Sequence, residues 1–347
     1  MIPTKAYAAP AAAQPLGPFS FDRREVGPHD VLIEIAFCGV CHSDIHQVKD
    51  EWGGSLFPMV PGHEIVGRVA RVGDHVKGFK PGDLAGVGCM VDSCRTCPSC
   101  ARDLEQFCAK GAAYTYNGTE MDRSTRTYGG YSERIVVPEA FVLHISPSLD
   151  LAAAAPLLCA GITTYSPLRH WNTRPGDKVG VVGLGGLGHM AVKLAAAMGA
   201  EVTMLSTSPG KEGDARRLGA AGFGLTSDPA TFKRLAGRFD LIIDTISAPH
   251  DYNQYLGMVR TEGAMVLLGV PPAPTPIAAT SLIFGRKTLS GSLIGGIKET
   301  QEMLDFCAEH KVVSDIELIP FKDINGAYAR MLKGDVRYRF VLDLKTL

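Results

Sequence analysis

The chain has 347 residues, a formal net charge of −1, and 46% hydrophobic and 20% charged residues, typical of a globular protein of about two domains. No basic run or aromatic-basic stripe suggests a nucleic-acid partner. No stretch approaches the roughly 18 continuous apolar residues of a membrane span, and MIPTKAYAAPAAAQP lacks the apolar run of a secretory signal. Nine cysteines without such a signal are typical of a reducing compartment, so we expect a cytoplasmic protein.

Residues 1–149 are rich in short β-strand signals separated by glycine and proline, including the pairs at 61–62 and 81–82. The predicted strands are Val31–Phe37, Glu64–Gly73, Asp83–Gly88 and Glu133–Pro138. This pattern predicts an all-β, barrel-like domain with one inserted loop.

A dispersed set of metal-ligand residue types lies around the inserted loop in sequence, on both sides of it. Cys41, Ser43, Asp44 and His46 follow one predicted strand, and His63 with Glu64 begins another. Cys159 lies at the entrance to the next domain. Two cysteines and one histidine with an open fourth position are typical of catalytic zinc. Each residue alone is a weak signal.

The inserted loop carries Cys94, Cys97, Cys100 and Cys108 in the spacing C-x2-C-x2-C-x7-C. Four thiolates this close in sequence can surround one tetrahedral zinc. A disulfide knot would require a secreted protein. The bacterial iron–sulfur run ends in C-x3-C-P, which is absent here. The spacing therefore favours structural zinc over an iron–sulfur cluster or a redox role. The remaining cysteines, predicted to be small apolar core side chains, are Cys38, Cys89 and Cys307.

After Asp150, strands and helices alternate, and the strands are continuously apolar. The predicted elements are a helical stretch over LAAAAPLLCAGITTYSPL, strand Lys178–Gly183, helix His189–Met198, strand Glu201–Ser206, a helix near Lys211–Leu218, strand Asp240–Ile246, a helix near His250–Val259 and strand Ala264–Val270. This alternation predicts an α/β, doubly wound parallel sheet. From about Thr288, a strand, the helix Glu299–His310 and a final β/α stretch are expected to rejoin the first domain.

A glycine-rich turn lies directly after one strand and before the next helix, where Gly183-x-Gly185-x-x-Gly188 is a dinucleotide-binding fingerprint. The three glycines respectively permit a tight turn, approach of the backbone to the pyrophosphate, and close packing of helix on strand. The helix N-terminus then offers N–H donors to the phosphates.

The next strand ends in Ser206, Thr207 and Ser208, followed by Lys211, where NAD-binding chains usually have a carboxylate for the ribose. Hydroxyls and one cation suit a 2′-phosphate, which a carboxylate would repel. The segment therefore favours NADP over NAD. The serines can also serve simply as helix caps.

Several of these segments together resemble a known family. They are CGVCHSD, VPGHEIVG, the four-cysteine loop, PLLCAGITTYSPL, GLGGLGHM, STS-x-x-K, GSLIGG and RYRFVLD. The chain resembles the zinc-dependent medium-chain dehydrogenases/reductases over nearly its whole length. It is most similar to the cinnamyl-alcohol-dehydrogenase branch and, within it, to bacterial broad-range NADPH-dependent aldehyde reductases.

The resemblance implies a GroES-like catalytic domain, 1–149 and 288–347, split by a Rossmann domain, 150–287, with a cleft between them. It implies one catalytic and one structural zinc, NADP(H), and a homodimer. The implied function is hydride transfer between NADP(H) and primary alcohols or aldehydes, with broad or aromatic-tolerant specificity. Trp52, Leu293 and Ile294 are expected to contribute to an apolar pocket.

The resemblance also implies roles for single residues. Cys41, His63 and Cys159 would hold catalytic zinc, with Glu64 behind it or as an alternate ligand. Asp44 would orient His63, and Ser43 and His46 would relay protons through the cofactor ribose. The implied cofactor-binding residues are Thr163, Gly183, Leu184, Gly185, Gly186, Leu187, Gly188, His189, Ser206, Thr207, Ser208, Lys211, Thr245, Gly269, Ser292, Leu293 and Ile294.

Two other functions fit part of this pattern. A secondary-alcohol or polyol dehydrogenase would share both zinc sites, and substrate profiling would separate it. A zinc-bearing sensor or structural protein without turnover would not need the catalytic set, and the presence of Cys41, His63, Cys159, Ser43 and His46 disfavours it.

Overall fold

The computed structural model describes residues 1–347 and divides into two compact units. The first comprises Met1–Cys159 and Gly295–Leu347, and the second Ala160–Ile294. The second unit thus runs over 160–294 where the sequence prediction was 150–287. The difference at its start arises because the helical turns over 151–158 contact five strands of the first unit.

The chain forms nineteen strands. In chain order they are β1 (Ile2–Ala8), β2 (Gly17–Arg23), β3 (Asp30–Gly39), β4 (Ile65–Val72), β5 (Leu84–Val87), β6 (Met90–Asp92), β7 (Ala113–Tyr114), β8 (Gly118–Thr119), β9 (Arg126–Thr127), β10 (Arg134–Pro138), β11 (Leu143–His144), β12 (Lys178–Val182), β13 (Glu201–Ser206), β14 (Gly222–Leu225), β15 (Phe239–Asp244), β16 (Val259–Leu267), β17 (Thr288–Gly291), β18 (Ile316–Pro320) and β19 (Arg339–Asp343).

Ten α-helices, several of them short, accompany the strands. They are α1 (His42–Val48), α2 (Leu151–Ala154), α3 (Ala160–His170), α4 (Gly186–Ala197), α5 (Glu212–Arg217), α6 (Pro229–Arg234), α7 (Tyr252–Met258), α8 (Thr280–Ile283), α9 (Ile297–His310) and α10 (Ile324–Leu332). No single helix is long and apolar enough to cross a membrane. The consecutive segments Leu151–Leu158 and Ala160–His170 pass a test of length and composition only when taken together.

The first unit is built on a seven-stranded sheet in the order β11-β5-β4-β3-β19-β18, with β10 also paired to β3. Its pairs are antiparallel except β18 with β19. The four strands predicted here lie within one or two residues of β3, β4, β5 and β10. The α1 helix follows β3 directly, which places its first turn at the end of a buried strand.

The second unit is a parallel six-stranded sheet in the order β14-β13-β12-β15-β16-β17. In the unit's own strand numbers this is the order 3-2-1-4-5-6 of the dinucleotide-binding fold. Its core includes Val182, Leu205, Phe239 and Met265, all fully buried. The sequence prediction omitted β14 and α6, because Gly222–Leu225 is short and its two glycines weaken the strand pattern.

Candidate active site

The four loop cysteines, Cys94, Cys97, Cys100 and Cys108, converge. Their sulfur atoms all lie within 4.8 Å of one another. The Sγ–Sγ distances from Cys100 are 3.5 Å to Cys97 and 4.0 Å to Cys94. A tetrahedral zinc with 2.3 Å bonds requires about 3.8 Å between sulfurs, so the four thiols fit that metal.

Backbone amides support the thiolate form in this loop. The N–H of Ala109 donates to Cys97 Sγ at 3.3 Å, and that of Cys94 to Cys108 Sγ at 3.4 Å. Backbone hydrogen bonding at Thr96 lowers the pKa of the Cys94 thiol to about 6. Donors fixed by the loop therefore stabilise negative sulfur before any metal binds.

A second cluster gathers Cys41, His63, Glu64 and Cys159, with ligand atoms also within 4.8 Å of one another. The Sγ atoms of Cys41 and Cys159 are 3.9 Å apart, again close to the spacing on one zinc. A hydrogen bond from Cys159 holds the pKa of Cys41 well below its usual value. The cluster contains two thiols and one imidazole, the donor set of an open catalytic zinc site.

Three separate elements supply this cluster. Cys41 is the N-cap of α1, and His63 precedes β4. Cys159 occupies a break between a 3₁₀ turn and α3, with φ −130° and ψ −67°. The sequence predicted one helical stretch here, and the break is what directs the Cys159 side chain into the first unit.

Asp44 organises the histidine. Its carboxylate is fully buried and accepts from His63 Nδ1 at 3.1 Å. It also accepts from the backbone N–H of Cys41 at 2.9 Å and of Gly62 at 3.2 Å, and from Tyr131 Oη at 3.3 Å. The Nδ1 proton is thereby fixed, which leaves Nε2 with its lone pair free for a metal.

Glu64, the fourth member of this cluster, forms a buried ion pair with Arg339. Burial raises the pKa of Glu64 to about 8, although the guanidinium of Arg339 opposes the shift. Its Oε2 is buried without a hydrogen-bond partner. An orphaned carboxylate oxygen within reach of two thiols is consistent with the predicted alternate ligand. Arg339 lies in the RYRFVLD segment, but the sequence assigned it no role.

The predicted relay residues lie one turn apart on α1. Ser43 Oγ accepts a weak hydrogen bond from Cys41 Sγ at 3.7 Å. His46 donates through Nδ1 to the Glu51 carboxylate and stacks on Trp52, with ring centroids 4.9 Å apart. That hydrogen bond lowers the pKa of Glu51. Glu51 was missed from sequence, because a lone acid after a helix carries no motif.

One cysteine prediction needs correction. Cys38 and Cys307 are buried as expected. Cys89 is only partly buried, and a hydrogen bond from Cys159 lowers its pKa. Its Sγ also donates to the carbonyl of Leu158 at 3.8 Å. Cys89 is therefore a third thiol beside the Cys41–Cys159 pair, not a plain core side chain.

The three glycines of the turn after β12 differ in surroundings. Gly183 has φ +89°, which favours glycine. A Cβ on Gly188 would lie 1.8 Å from the carbonyl of Gly183, whereas one on Gly185 would meet nothing within 4 Å. Helix α4 begins at Gly186, three residues earlier than predicted, so its first turn carries Gly186, Leu187, Gly188 and His189. The open space at Gly185 fits a pyrophosphate.

The cation predicted for the ribose phosphate lies beside this turn. Lys211 Nζ donates to the carbonyl of Leu184 at 2.8 Å. Ser206 ends β13, and its Oγ accepts the N–H of Ser208 at 3.2 Å. Thr207 and Ser208 are exposed. The end of β13 thus combines hydroxyls and one cation without a carboxylate, which fits an additional phosphate.

The remaining predicted cofactor residues also lie in the second unit. Thr245 Oγ1 donates to the carbonyl of Val182 at 2.7 Å, which ties it to the glycine turn. Gly269 packs on the carbonyl of Ile246, since a Cβ there would approach it to 2.1 Å. Thr163 is buried on α3. The segment Ser292, Leu293 and Ile294 follows β17, and Leu293 is exposed.

Comparisons with known proteins agree with this geometry. Residues 27–147 match the family "Alcohol dehydrogenase GroES-like domain" and residues 186–309 match "Zinc-binding dehydrogenase". The chain is 58% identical to NADP-dependent alcohol dehydrogenase C 1 of Mycolicibacterium smegmatis, over 100% of this chain and 99% of the relative. It is 54% identical to the aldehyde reductase YahK of Escherichia coli, over 99% of each.

Among solved structures, a cinnamyl alcohol dehydrogenase from Sorghum bicolor superposes with a TM-score of 0.96 at 46% identity, covering 99% of this chain and 98% of the other. The chain therefore belongs to the zinc-dependent alcohol dehydrogenases of the medium-chain superfamily, in the cinnamyl-alcohol-dehydrogenase branch. The predicted family, the GroES-like and Rossmann fold class and the zinc-dependent dehydrogenase function are confirmed.

Proposed function

We propose that this chain reduces aldehydes to primary alcohols with NADPH, and catalyses the reverse reaction with NADP⁺. The observation that carries the proposal is the Cys41–His63–Cys159 cluster, whose histidine is held by a buried carboxylate. The two relatives act on alcohols and aldehydes by name, and one is named as NADP-dependent. The zinc-binding dehydrogenase family, the two ligand clusters and the NADP-dependent relative bear out zinc and NADP(H) as the predicted cofactors.

When bound, zinc supplies a Lewis acid for the carbonyl oxygen and NADPH supplies the hydride. Cys41, His63 and Cys159 would hold that zinc. The two thiolates would balance the two positive charges of zinc, so the loaded site would stay close to neutral. Asp44 keeps His63 in the Nδ1–H tautomer that binding through Nε2 requires.

The chain's own proton donors are assigned on α1. Ser43 lies two residues after a metal-ligand cysteine and would protonate the substrate oxygen as the alcohol forms. His46 would replace that proton from solvent. Glu51 accepts the Nδ1 proton of His46, so Nε2 is the nitrogen left to exchange protons.

The Ser206–Lys211 segment supports NADP(H) over NAD(H). Its hydroxyls and the Lys211 ammonium can bind a 2′-phosphate, and the segment itself contains no carboxylate to bind a free ribose hydroxyl. The orientation of Lys211 over the glycine turn places its charge beside the phosphates that the turn would bind.

We also propose that the enzyme is a cytoplasmic homodimer. Strand β17 lies at the end of its sheet and pairs only with β16, which leaves its outer edge unpaired. Beside it in sequence, Ile283 and Phe284 are 68% and 77% exposed. An unpaired edge next to exposed apolar side chains is suited to pairing with a second copy. Light scattering should give twice the 37.0 kDa chain mass.

The proposal is tested by following NADPH and NADH oxidation with benzaldehyde, cinnamaldehyde and butanal, with zinc measured on the same sample. NADPH-specific oxidation with two zincs per chain is expected. A polyol or secondary alcohol as the preferred substrate would contradict the primary-alcohol assignment. A folded protein that holds one zinc and reduces no aldehyde would contradict catalysis itself.

A further inference from the structure

A buried histidine–carboxylate pair lies in the second unit, away from both cysteine clusters. Asp244 ends β15 and its side chain is 1% exposed, while that of His250 is 13% exposed. His250 Nε2 is 2.7 Å from Asp244 Oδ2, and its Nδ1 is 2.8 Å from the carbonyl oxygen of Ala248. Nothing in the proposed chemistry uses this pair.

The partners define the charge of the imidazole. A carboxylate and a backbone carbonyl can only accept hydrogen bonds, so both ring nitrogens must carry protons for both bonds to form. His250 is then a cation, and its bond to Asp244 is charge-assisted. Burial is the largest single influence and opposes this charge, but the bonds to Asp244 and to the Ala248 carbonyl, with the charges of Asp244 and Asp251, together outweigh it and raise the pKa of His250.

The charged groups that act most strongly on His250 are acids. The titratable and charged groups that face it are Asp244, Asp251 and the phenols of Tyr252 and Tyr255. The two rings meet the imidazole edge-on, with centroids 4.8 Å and 5.5 Å away. Both acids favour the imidazolium, and the two rings limit where it can move.

The same carboxylate also holds the loop that precedes His250. Asp244 Oδ1 accepts the N–H of Ile246 at 3.0 Å, so Asp244 binds the loop over 245–250 at both ends. This loop carries Thr245, which is bonded to the carbonyl of Val182. It also carries Ile246, whose carbonyl packs against Gly269 and whose side chain packs beside Gly183.

We propose that His250 is a positioning residue for the dinucleotide. Its imidazolium ties the Ala248 carbonyl to Asp244 and closes the loop in the shape that presents Thr245 and supports the glycine turn. The inference rests on the proposed function only in taking Thr245, Gly183 and Gly269 as residues that line the cofactor. Loss of the imidazolium proton breaks one of the two bonds, so dinucleotide binding weakens as pH rises through the pKa of His250.

The test uses three variants of the full, zinc-loaded protein. H250F keeps a packed ring without donors, and H250Q keeps one neutral donor near the Nε2 position. H170F is the matched control, because His170 is an exposed histidine of the same unit. The dissociation constant of NADPH is measured by fluorescence titration across pH, together with kcat, the KM of the aldehyde and Tm.

We expect H250F to bind NADPH on the order of tenfold more weakly below the pKa of His250, since a bond to a charged group is lost. The wild type should converge on H250Q as pH rises, because each then has one donor at this site. H250Q should have a flat profile that lies between H250F and the low-pH wild type. The aldehyde KM and H170F should stay unchanged. The 2′-phosphate titrates near about pH 6 in every sample, so the wild-type-to-variant ratio cancels it.

Equal NADPH affinity in wild type and H250F at every pH, with only Tm lowered, would overturn the inference and leave the pair a stability element. A changed aldehyde KM with unchanged NADPH affinity would also overturn it. If the wild type bound only NADH, the NADP assignment would fail, and the same titrations with NADH would still decide the role of His250.

Discussion

The two cysteine clusters are assembled from the sequence in opposite ways. The loop cluster is contained in residues 94–108 and needs only its own turns to bring four sulfurs together. The second cluster joins Cys41 and Cys159, which are 118 residues apart, and all four members are at most 8% exposed. The first is therefore a local property of the sequence, whereas the second is a product of the folded unit.

This difference predicts different consequences of ligand loss. Removing a loop ligand should chiefly reduce stability, because the metal crosslinks a segment with little core of its own. Removing a ligand of the buried cluster should chiefly reduce turnover, because the surrounding sheet and Asp44 are already formed without metal.

The largest effect is expected for Cys159→Ser. Turnover should fall by at least about a thousandfold, because one of three predicted zinc ligands is lost and the Lewis acid with it. Zinc content should fall from two to one per chain. Cys307→Ser is the matched control, since Cys307 is buried but belongs to neither cluster. Near-normal turnover in a C159S protein that holds one zinc would refute the site.

Cys100→Ser should have the opposite effect, with a large loss of stability and little loss of turnover. We expect Tm to fall by about 10 °C, since losing roughly 3–4 kcal/mol shifts Tm by about 2–4 °C per kcal/mol in a unit of this size. The folded fraction should keep turnover within about twofold, because the clusters are separate. Calorimetry and assays at low temperature give both quantities. A turnover loss matching that of C159S would show that the clusters are not independent.

Asp44→Asn tests whether zinc binding at the buried cluster depends on the hydrogen bonds that Asp44 accepts. The amide cannot replace the carboxylate that accepts from His63 and two backbone N–H groups, so zinc affinity should fall about 10–100-fold. Competition with a chelator measures this, and Asp74→Asn, at an exposed position of the same unit, is the control. Unchanged affinity would mean that the ligands alone define the site.

Ser206→Asp is expected to have the smallest effect and to act in the other unit. A carboxylate at the end of β13 should repel the 2′-phosphate and shift the NADP/NAD ratio of kcat/KM by at least about tenfold towards NAD. Ser227→Asp adds the same charge at an exposed position outside the predicted set. If the two variants shift the ratio equally, a general field effect explains it and Ser206 has no specific role.

Prediction from sequence was most successful where the residues of one site lie within a few positions of each other. The four loop cysteines and the glycine turn are of this kind, and the structure places each as a compact group. The residues that sequence reasoning missed act across long separations: Arg339 is 275 positions from Glu64, and Cys89 meets Cys159 only after folding. Pairing of that kind depends on sheet register, which no local pattern specifies.

Two helix boundaries were predicted wrongly for a related reason. Helix α4 begins at Gly186, inside the glycine run, although glycine is a poor helix former. The parallel sheet positions this turn, and packing against β12 outweighs the local propensity. The break at Cys159 is the converse case, since its immediate neighbours Leu158 and Ala160 are good helix formers and the fold still interrupts the helix there.

Within the glycine turn, one glycine is required for folding and another is required for nucleotide binding. Gly188 is constrained by the chain itself, because any side chain there would collide with the backbone of Gly183. Gly185 has a negative φ and no neighbour within 4 Å of a Cβ, so the chain itself does not constrain it and only a nucleotide bound at this turn would. A methyl group at 185 would thus pass every screen for expression or thermal stability and still abolish binding. Such a substitution would leave the stability of the ligand-free protein unchanged and would be detected only by measuring nucleotide binding.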